Sequence, residues 1–143
     1  MSMKHNLQPV LSNSRVTLRP LQVVDELVLQ PVANDKDLWV YGLTDLSKPG
    51  ELYKYITKAI ADREAGHCAV WTIYDHKSNQ VAGCTRLMDI DWRDERGQIG
   101  ATWLGHTWQG TGLNRAMKHE ILTYAFEKLN LNRVEFRLSL IHI

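Results

Sequence analysis

The stretch TWLGHTWQGTGLNR, residues 102–115, sets three glycines, Gly105, Gly110 and Gly112, between an apolar alternation ending at Leu104 and an amphipathic pattern beginning at Leu113. Glycine serves where backbone must turn at positive φ or approach a ligand closely, and ordering it costs entropy. The spacing predicts a strand, a glycine loop and a helix in that order. Backbone N–H groups from Gln109 to Asn114 would then lie at a helix head, with Arg115 in its first turn and Lys118 and His119 one turn on. Such a head is an anion site. Hydrogen bonds from these groups to a charged acceptor contribute about 1.5–3 kcal/mol each. That exceeds the roughly 0.3–1 kcal/mol a capping acid gains at the same place. A pyrophosphate can be held here without a lysine.

Two phosphate-binding templates fail on inspection. GHTWQG (105–110) has the Gly-x4-Gly spacing of a P-loop, but Thr111 and Gly112 stand where that loop requires Lys and then Ser or Thr. GTGLNR (110–115) begins like a dinucleotide fingerprint, yet Arg115 replaces its third glycine and the glycines do not directly follow the strand. Taken alone, the glycines also suit simple turn and cap roles.

Working outward from the loop, QIGATWL (98–104) alternates as a strand, and two further strand-like runs precede it, CAVWTIYD (68–75) and QVAGCTRLMDIDW (80–92). The polar HKSN (76–79) and RDERG (93–97) read as turns, so an antiparallel meander is expected. Upstream, RVTLRPL (15–21) reads as a strand that Pro20 puts at an edge or brings to its end. A helix is expected over Asp25–Asn34, kinked or divided at Pro31. Another is expected over Pro49–Ala65, with Ser47 available as its cap, Leu52, Ile56, Ala59 and Ile60 on one face, and Gly66 as its stop. Downstream, a helix is predicted over Leu113–Leu129 with a stripe of Met117, Ile121, Leu122, Ala125, Phe126 and Leu129. RVEFRLS (133–139), reached through that helix, is expected to run parallel to 98–104. The expected class is α/β, a mixed and largely antiparallel sheet with helices on its faces, in a single domain over residues 1–143.

The totals narrow the function. A net charge of +1, with 44% hydrophobic and 23% charged residues, is ordinary globular composition without the basic excess of a phosphate-backbone binder, so no nucleic-acid partner is expected. Cys68 and Cys84 are far apart and in no CxxC pair, which predicts free buried thiols, no disulfide framework and no metal site. No apolar run approaches the roughly 20 residues of a membrane span, and the first fifteen residues lack the apolar block of a signal peptide. A cytoplasmic protein with no membrane partner is expected.

QGTGLN (109–114) resembles the acetyl-coenzyme A pyrophosphate loop of the GNAT N-acetyltransferases, whose pattern is Arg or Gln, two residues, Gly, one residue, then Gly or Ala. Gln109 and Gly112 match, and Asn114 departs at the last position. RVTLRPL, IGATWL, AFEKLNLNRVEF and the order of elements are similar to the branch that acetylates the N-termini of ribosomal proteins, over Arg15–Arg137. The resemblance implies a GNAT-like acyl-coenzyme A N-acyltransferase fold, acetyl-CoA as co-substrate with no metal, and an amine acceptor such as a protein N-terminus or a small amine. It also implies a bulge at the end of the strand 98–104, whose exposed backbone at Trp103–His106 pairs with the pantetheine arm. The implied coenzyme-binding residues are Trp103, Leu104, Gln109, Gly110, Thr111, Gly112, Leu113 and Asn114. The implied reaction is direct transfer to a deprotonated amine, without a covalent enzyme intermediate. A module of the same fold that binds acetyl-CoA without turnover is the alternative.

The catalytic groups are not assigned. Relatives often carry Glu before the Ile-Gly of this strand, where the chain has Gln98, which cannot take a proton at neutral pH. Glu95 falls in a turn and is read as solvated, and His106 and His119 as surface residues despite their useful titration range. Trp71, Trp103 and Trp108 fit either a substrate slot or the core.

The resemblance further implies a helix and a final hairpin after the strand at 133–139, so a truncated chain is expected. The last six residues, LSLIHI (138–143), back-translate to the transposon end used in tagmentation sequencing libraries, and the expectation is that they are not native.

Overall fold

The computed structural model describes residues 6–39 and 45–136; the segment 137–139 of the last expected strand and the LSLIHI terminus lie outside them. Six strands form one sheet in chain order: β1 (Leu11–Ser12), β2 (Val16–Pro20), β3 (Ala69–Asp75), β4 (Gln80–Asp91), β5 (Arg96–Leu104) and β6 (Arg133–Phe136). Neighbours are antiparallel except β5 and β6, which are parallel with Arg96 opposite Arg133 and Ile99 opposite Phe136. Three helices pack on the sheet: α1 (Glu26–Ala33), α2 (Glu51–Glu64) and α3 (Leu113–Glu127).

The period of two in the strands divides the core into two layers. Val16, Leu18, Trp71, Leu87 and Ile99 face α3, where Met117 and Ile121 cover them. Val70, Cys84 and Trp103 point the other way, toward Leu29 of α1 and Leu52 and Ile56 of α2. Burying each large side chain fully contributes about 1.5–3 kcal/mol relative to leaving it exposed.

The meander, both long helices and the parallel last strand match the expected order. Pro20 ends β2, the second of the two expected placements, and β2 lies between β1 and β3. Several other local expectations are corrected. The two residues of β1 are too short to display a period, and the sequence reading passes over them. Pro31 does not divide α1. The carbonyl that its missing N–H leaves unpaired belongs to Leu27, which is 76% exposed, so water can satisfy it. Ser47 does not cap α2: its hydroxyl donates to Asp45, and Gly50, at φ +79, takes the N-cap position. Ile60 is only half-buried on that helix, while Gly66 ends it as expected, at φ +84. On α3 the buried stripe runs through Leu113, Met117, Ile121, Tyr124 and Ala125, leaving Phe126 43% exposed. Tyr124 lies in the core, where its hydroxyl donates to the Asn6 carbonyl.

Candidate functional site

At the end of β5 the register shifts against β4. Cys84 opposes Trp103 and Arg86 opposes Gly100, so Ala101 and Thr102 together face Thr85. This is a β-bulge, held by a 2.7 Å contact between the Thr85 and Thr102 hydroxyls. Pairing with β6 is described over Arg96–Ile99 only, and beyond it this edge of β5 carries no ladder partner among the described residues. Trp103 and Leu104 send their side chains to opposite faces, into the α1/α2 layer and the α3 layer respectively.

The chain then enters the glycine loop. The Gly105 N–H donates to the Ala82 carbonyl at 2.8 Å. Gly105 allows a close approach: a Cβ there would sit 2.6 Å from the Trp108 ring. Gln109 turns back so that Nε2 donates to the Leu104 carbonyl at 3.0 Å. Its own N–H is donated to His106, 3.2 Å away, which removes Gln109 from the expected set of outward amides. The remaining amides have no such partner among the described residues. Gly110 and Gly112 sit at φ +72 and +87 with open space where a Cβ would go. Gly112 is the N-cap of α3, so the N–H groups of Leu113, Asn114 and Arg115 have no intrahelical acceptor. Successive amides in this conformation form a concave anion nest.

A ring of polar side chains holds the loop. Arg15 donates from Nη1 to the Thr111 carbonyl and from Nη2 to the Thr111 hydroxyl, each at 3.2 Å, while its Nε pairs with Asp75 at 3.1 Å. Thr111 donates to the Trp108 carbonyl at 2.6 Å, Trp108 Nε1 to the Ser78 hydroxyl at 3.0 Å, and Ser78 to Asp75 at 2.7 Å. Burial raises the Asp75 pKa, but hydrogen bonds from Ser78 and Arg15 and from the Lys77 and Ser78 amides outweigh it and hold the carboxyl below its ordinary value.

Beside the nest, a cleft of about 410 Å³ is lined by Asn114, Arg115, Lys118, His119 and Leu122. The Asn114 Oδ1 atom is buried without a hydrogen-bond partner. Lys118 Nζ lies 5.2 Å from the centre of the Phe136 ring. Among the described residues, no group of three or more His, Cys, Asp or Glu is placed to hold a metal ion, and no helix is long and apolar enough to cross a membrane.

On the α1/α2 face of the same bulge, Trp103 packs edge-on against Trp39 and Tyr55, with centroids 5.7 and 6.3 Å away. Tyr55 donates to the Cys84 sulfur at 3.8 Å, and the Arg86 guanidinium lies 5.0 Å over the Tyr55 ring. Burial pushes the Tyr55 hydroxyl well above its ordinary range and the Cys84 thiol up to about 11, so both stay protonated at neutral pH. Gln98 is half-buried opposite Met88 on this face.

The structure thus brings Trp103, Leu104 and Gln109 through Asn114 into one continuous strand, loop and helix head. Glu95 stands apart: its side chain accepts from Asn132 at 3.0 Å and its carbonyl receives the Asn132 and Arg133 amides, all at the opposite end of β5. His106 and His119 are exposed. Trp71 belongs to the α3 layer, with Nε1 bonded to the Pro9 carbonyl, and lines no slot near the loop. Trp108 packs against both layers. The Arg15 ring and the buried Arg86 were missed by sequence reasoning. For Arg86 a signal existed, a cation in phase with Cys84 inside an apolar strand.

A mixed sheet whose bulged strand runs into a glycine loop at a helix head is the fold of the acyl-coenzyme A N-acyltransferases. The chain belongs to the acetyltransferase (GNAT) domain family, which it matches over residues 15–142. It is 26% identical over 133 residues to the uncharacterized N-acetyltransferase p20 of Bacillus licheniformis, covering 90% of this chain and 72% of that protein. In structure it is similar to RimL, a ribosomal L7/L12 alpha-N-protein acetyltransferase solved with coenzyme A, with a TM-score of 0.77 at 17% identity over 90% of this chain and 73% of that one. It is also similar to a spermidine N-acetyltransferase SpeG chimera from Vibrio cholerae and hSSAT, with a TM-score of 0.67 at 19% identity over 89% and 72%.

Proposed function

We propose that this chain, as one cytoplasmic domain, binds acetyl-coenzyme A at the loop from Gln109 to Asn114 and transfers the acetyl group to a primary amine. The observation that carries this reading is the pair of left-handed glycines, Gly110 and Gly112, with open space beside them and unpartnered amides running into α3. These features fit a diphosphate. Arg115 and Lys118 add positive charge in the adjoining cleft, and the orphan Asn114 oxygen offers an acceptor to a ligand donor. The edge of β5 that faces away from β4, past Ile99, offers backbone groups that would align an extended arm. Trp103 and Leu104 pair with Cys84 and Gly83 of β4 on one edge, and on the other the Leu104 carbonyl is engaged by Gln109.

Acetyl-coenzyme A supplies an acyl group already activated as a thioester. The chain's own contribution is alignment and charge. Gln98 can hold an amine or a water by hydrogen bonds without changing protonation state, so removal of the amine proton falls to solvent or to another group. An acceptor that is a protein N-terminus is supported by the likeness to RimL, and a small amine by the likeness to SpeG. The presence of Gln98 where relatives often have an acid favours a second reading, a coenzyme-binding module without turnover.

Calorimetric titration with acetyl-coenzyme A, ATP and NAD, followed by thiol-release assays on peptides and polyamines, tests both readings. Binding of acetyl-coenzyme A alone with thiol release supports the transferase. Binding without release supports the module, and preference for ATP or NAD overturns both.

A further inference from the structure

We propose that Arg86 anchors a carboxylate on the acceptor, so that the amine acetylated by this protein carries an acidic group near its reacting nitrogen. The proposal rests on the acetyl-transfer reading above and names the substrate class for it.

Arg86 is 8% exposed, and its Nε has no hydrogen-bond partner. Among the described residues no carboxylate lies within ion-pair distance of it; the ion pairs of the other arginines use Asp75, Asp25, Asp91 and Glu135. The nearby acid on this face, Asp25, is already held by Arg19 at 3.4 Å and by the Thr72 hydroxyl at 2.9 Å. The other buried arginine, Arg63, shares an unpartnered Nε but differs in that Nη1 donates to the Leu21 carbonyl at 2.8 Å and the residue sits in the last turn of α2, where the helix favours a cation. Arg86 has the Tyr55 ring as its electrostatic partner. Neither Tyr55 nor Cys84 can neutralise it, since both remain protonated. A buried guanidinium without an anion is unfavourable unless something supplies one.

The position of Arg86 says where the anion would come from. Its partner across the ladder is Gly100, which brings no side chain of its own toward the guanidinium. Gln98 is two residues along on the same face, and Trp103 lies just past the bulge, next to the strand end proposed to align the coenzyme. An acceptor placed at Gln98 would therefore have Arg86 within reach of a neighbouring substituent. The planar fork of arginine matches a carboxylate in a bidentate way.

The test uses the full-length protein and primary amines that differ only by acid against amide: glutamate against glutamine, aspartate against asparagine, and short peptides with Asp or Asn at the second position. The expected result is a kcat/KM at least tenfold higher for the acidic member, expressed mainly in KM. Arg86→Gln should bring the ratio to within twofold of one while the acetyl-coenzyme A Kd stays within twofold, and Arg86→Lys should restore part of the preference. Equal turnover of acid and amide by the unsubstituted protein overturns the assignment whether or not the variants fold. Turnover of unrelated amines alone, or a preference surviving in Arg86→Gln, also overturns it. Failure of the unsubstituted protein to bind acetyl-coenzyme A is a different outcome, which overturns the acetyl-transfer reading and this inference with it.

Discussion

Arg15 grips Thr111 at both its carbonyl and its hydroxyl, across 96 residues of sequence, and is itself held by Asp75. The turn between β1 and β2 thereby fixes the loop that leads into α3. Removing this grip leaves Thr111 held only by its own hydrogen bond to the Trp108 carbonyl and by its chain neighbours. Arg15→Ala should weaken acetyl-coenzyme A binding about five- to tenfold, consistent with loss of charge-assisted hydrogen bonds of about 1.5–3 kcal/mol, part of which water replaces. Calorimetry on the variant, with thermal unfolding as a control, measures this.

The same ring sets an acid limit. The Asp75 carboxyl is held below its ordinary value in the folded state. Its contribution to stability is therefore fully present above the unfolded value of about 3.9 and is lost as pH falls through the lower folded value. Unfolding free energies between pH 2 and 7 should show this loss below about pH 4, and Asp75→Asn should lack that part of the acid limb.

Gly105 tests the packing under the loop. A methyl group there meets Trp108 at 2.6 and 2.7 Å and Val32 at 3.2 Å, and the Trp108 ring is tied to Ser78. Gly105→Ala should destabilise the fold by about 1–3 kcal/mol, the usual cost of overpacking, as read by denaturant unfolding.

Cys68 and Cys84 are both buried and free, and burial raises both thiols. A disulfide-exchange reagent at pH 8 should react with neither in the native protein and with both after unfolding.

The features legible in the sequence are those with a local cause. Alternation over 69–104 and the stripe from Leu113 to Ala125 specify the meander and α3, and a helix between two strands implies the parallel β6. The glycine loop is legible because positive φ demands its residue type. The rest depends on contacts between distant segments. Ser47 loses the cap of α2 because Asp45 takes its hydroxyl. Tyr124 rather than Phe126 lies on the buried face of α3, and its hydroxyl finds an acceptor in the distant Asn6 carbonyl. The Arg15 ring joins three separate stretches, at 15, 75–78 and 108–111, and no pattern within any one of them announces it. The phase of Arg86 with Cys84 hints at its burial, but its pairing with Tyr55 of α2 depends on the packed helix.

The central claim is that the left-handed backbone at Gly112 forms the seat of the diphosphate. Calorimetry with acetyl-coenzyme A on folded Gly112→Val tests it most directly, because a β-branched residue is strained at φ +87. The predicted result is at least a tenfold loss of affinity, about 1.4 kcal/mol, with Gly112→Asn, which tolerates this conformation, retaining most of it. A folded Gly112→Val protein that binds acetyl-coenzyme A as tightly as the unsubstituted chain would contradict the claim.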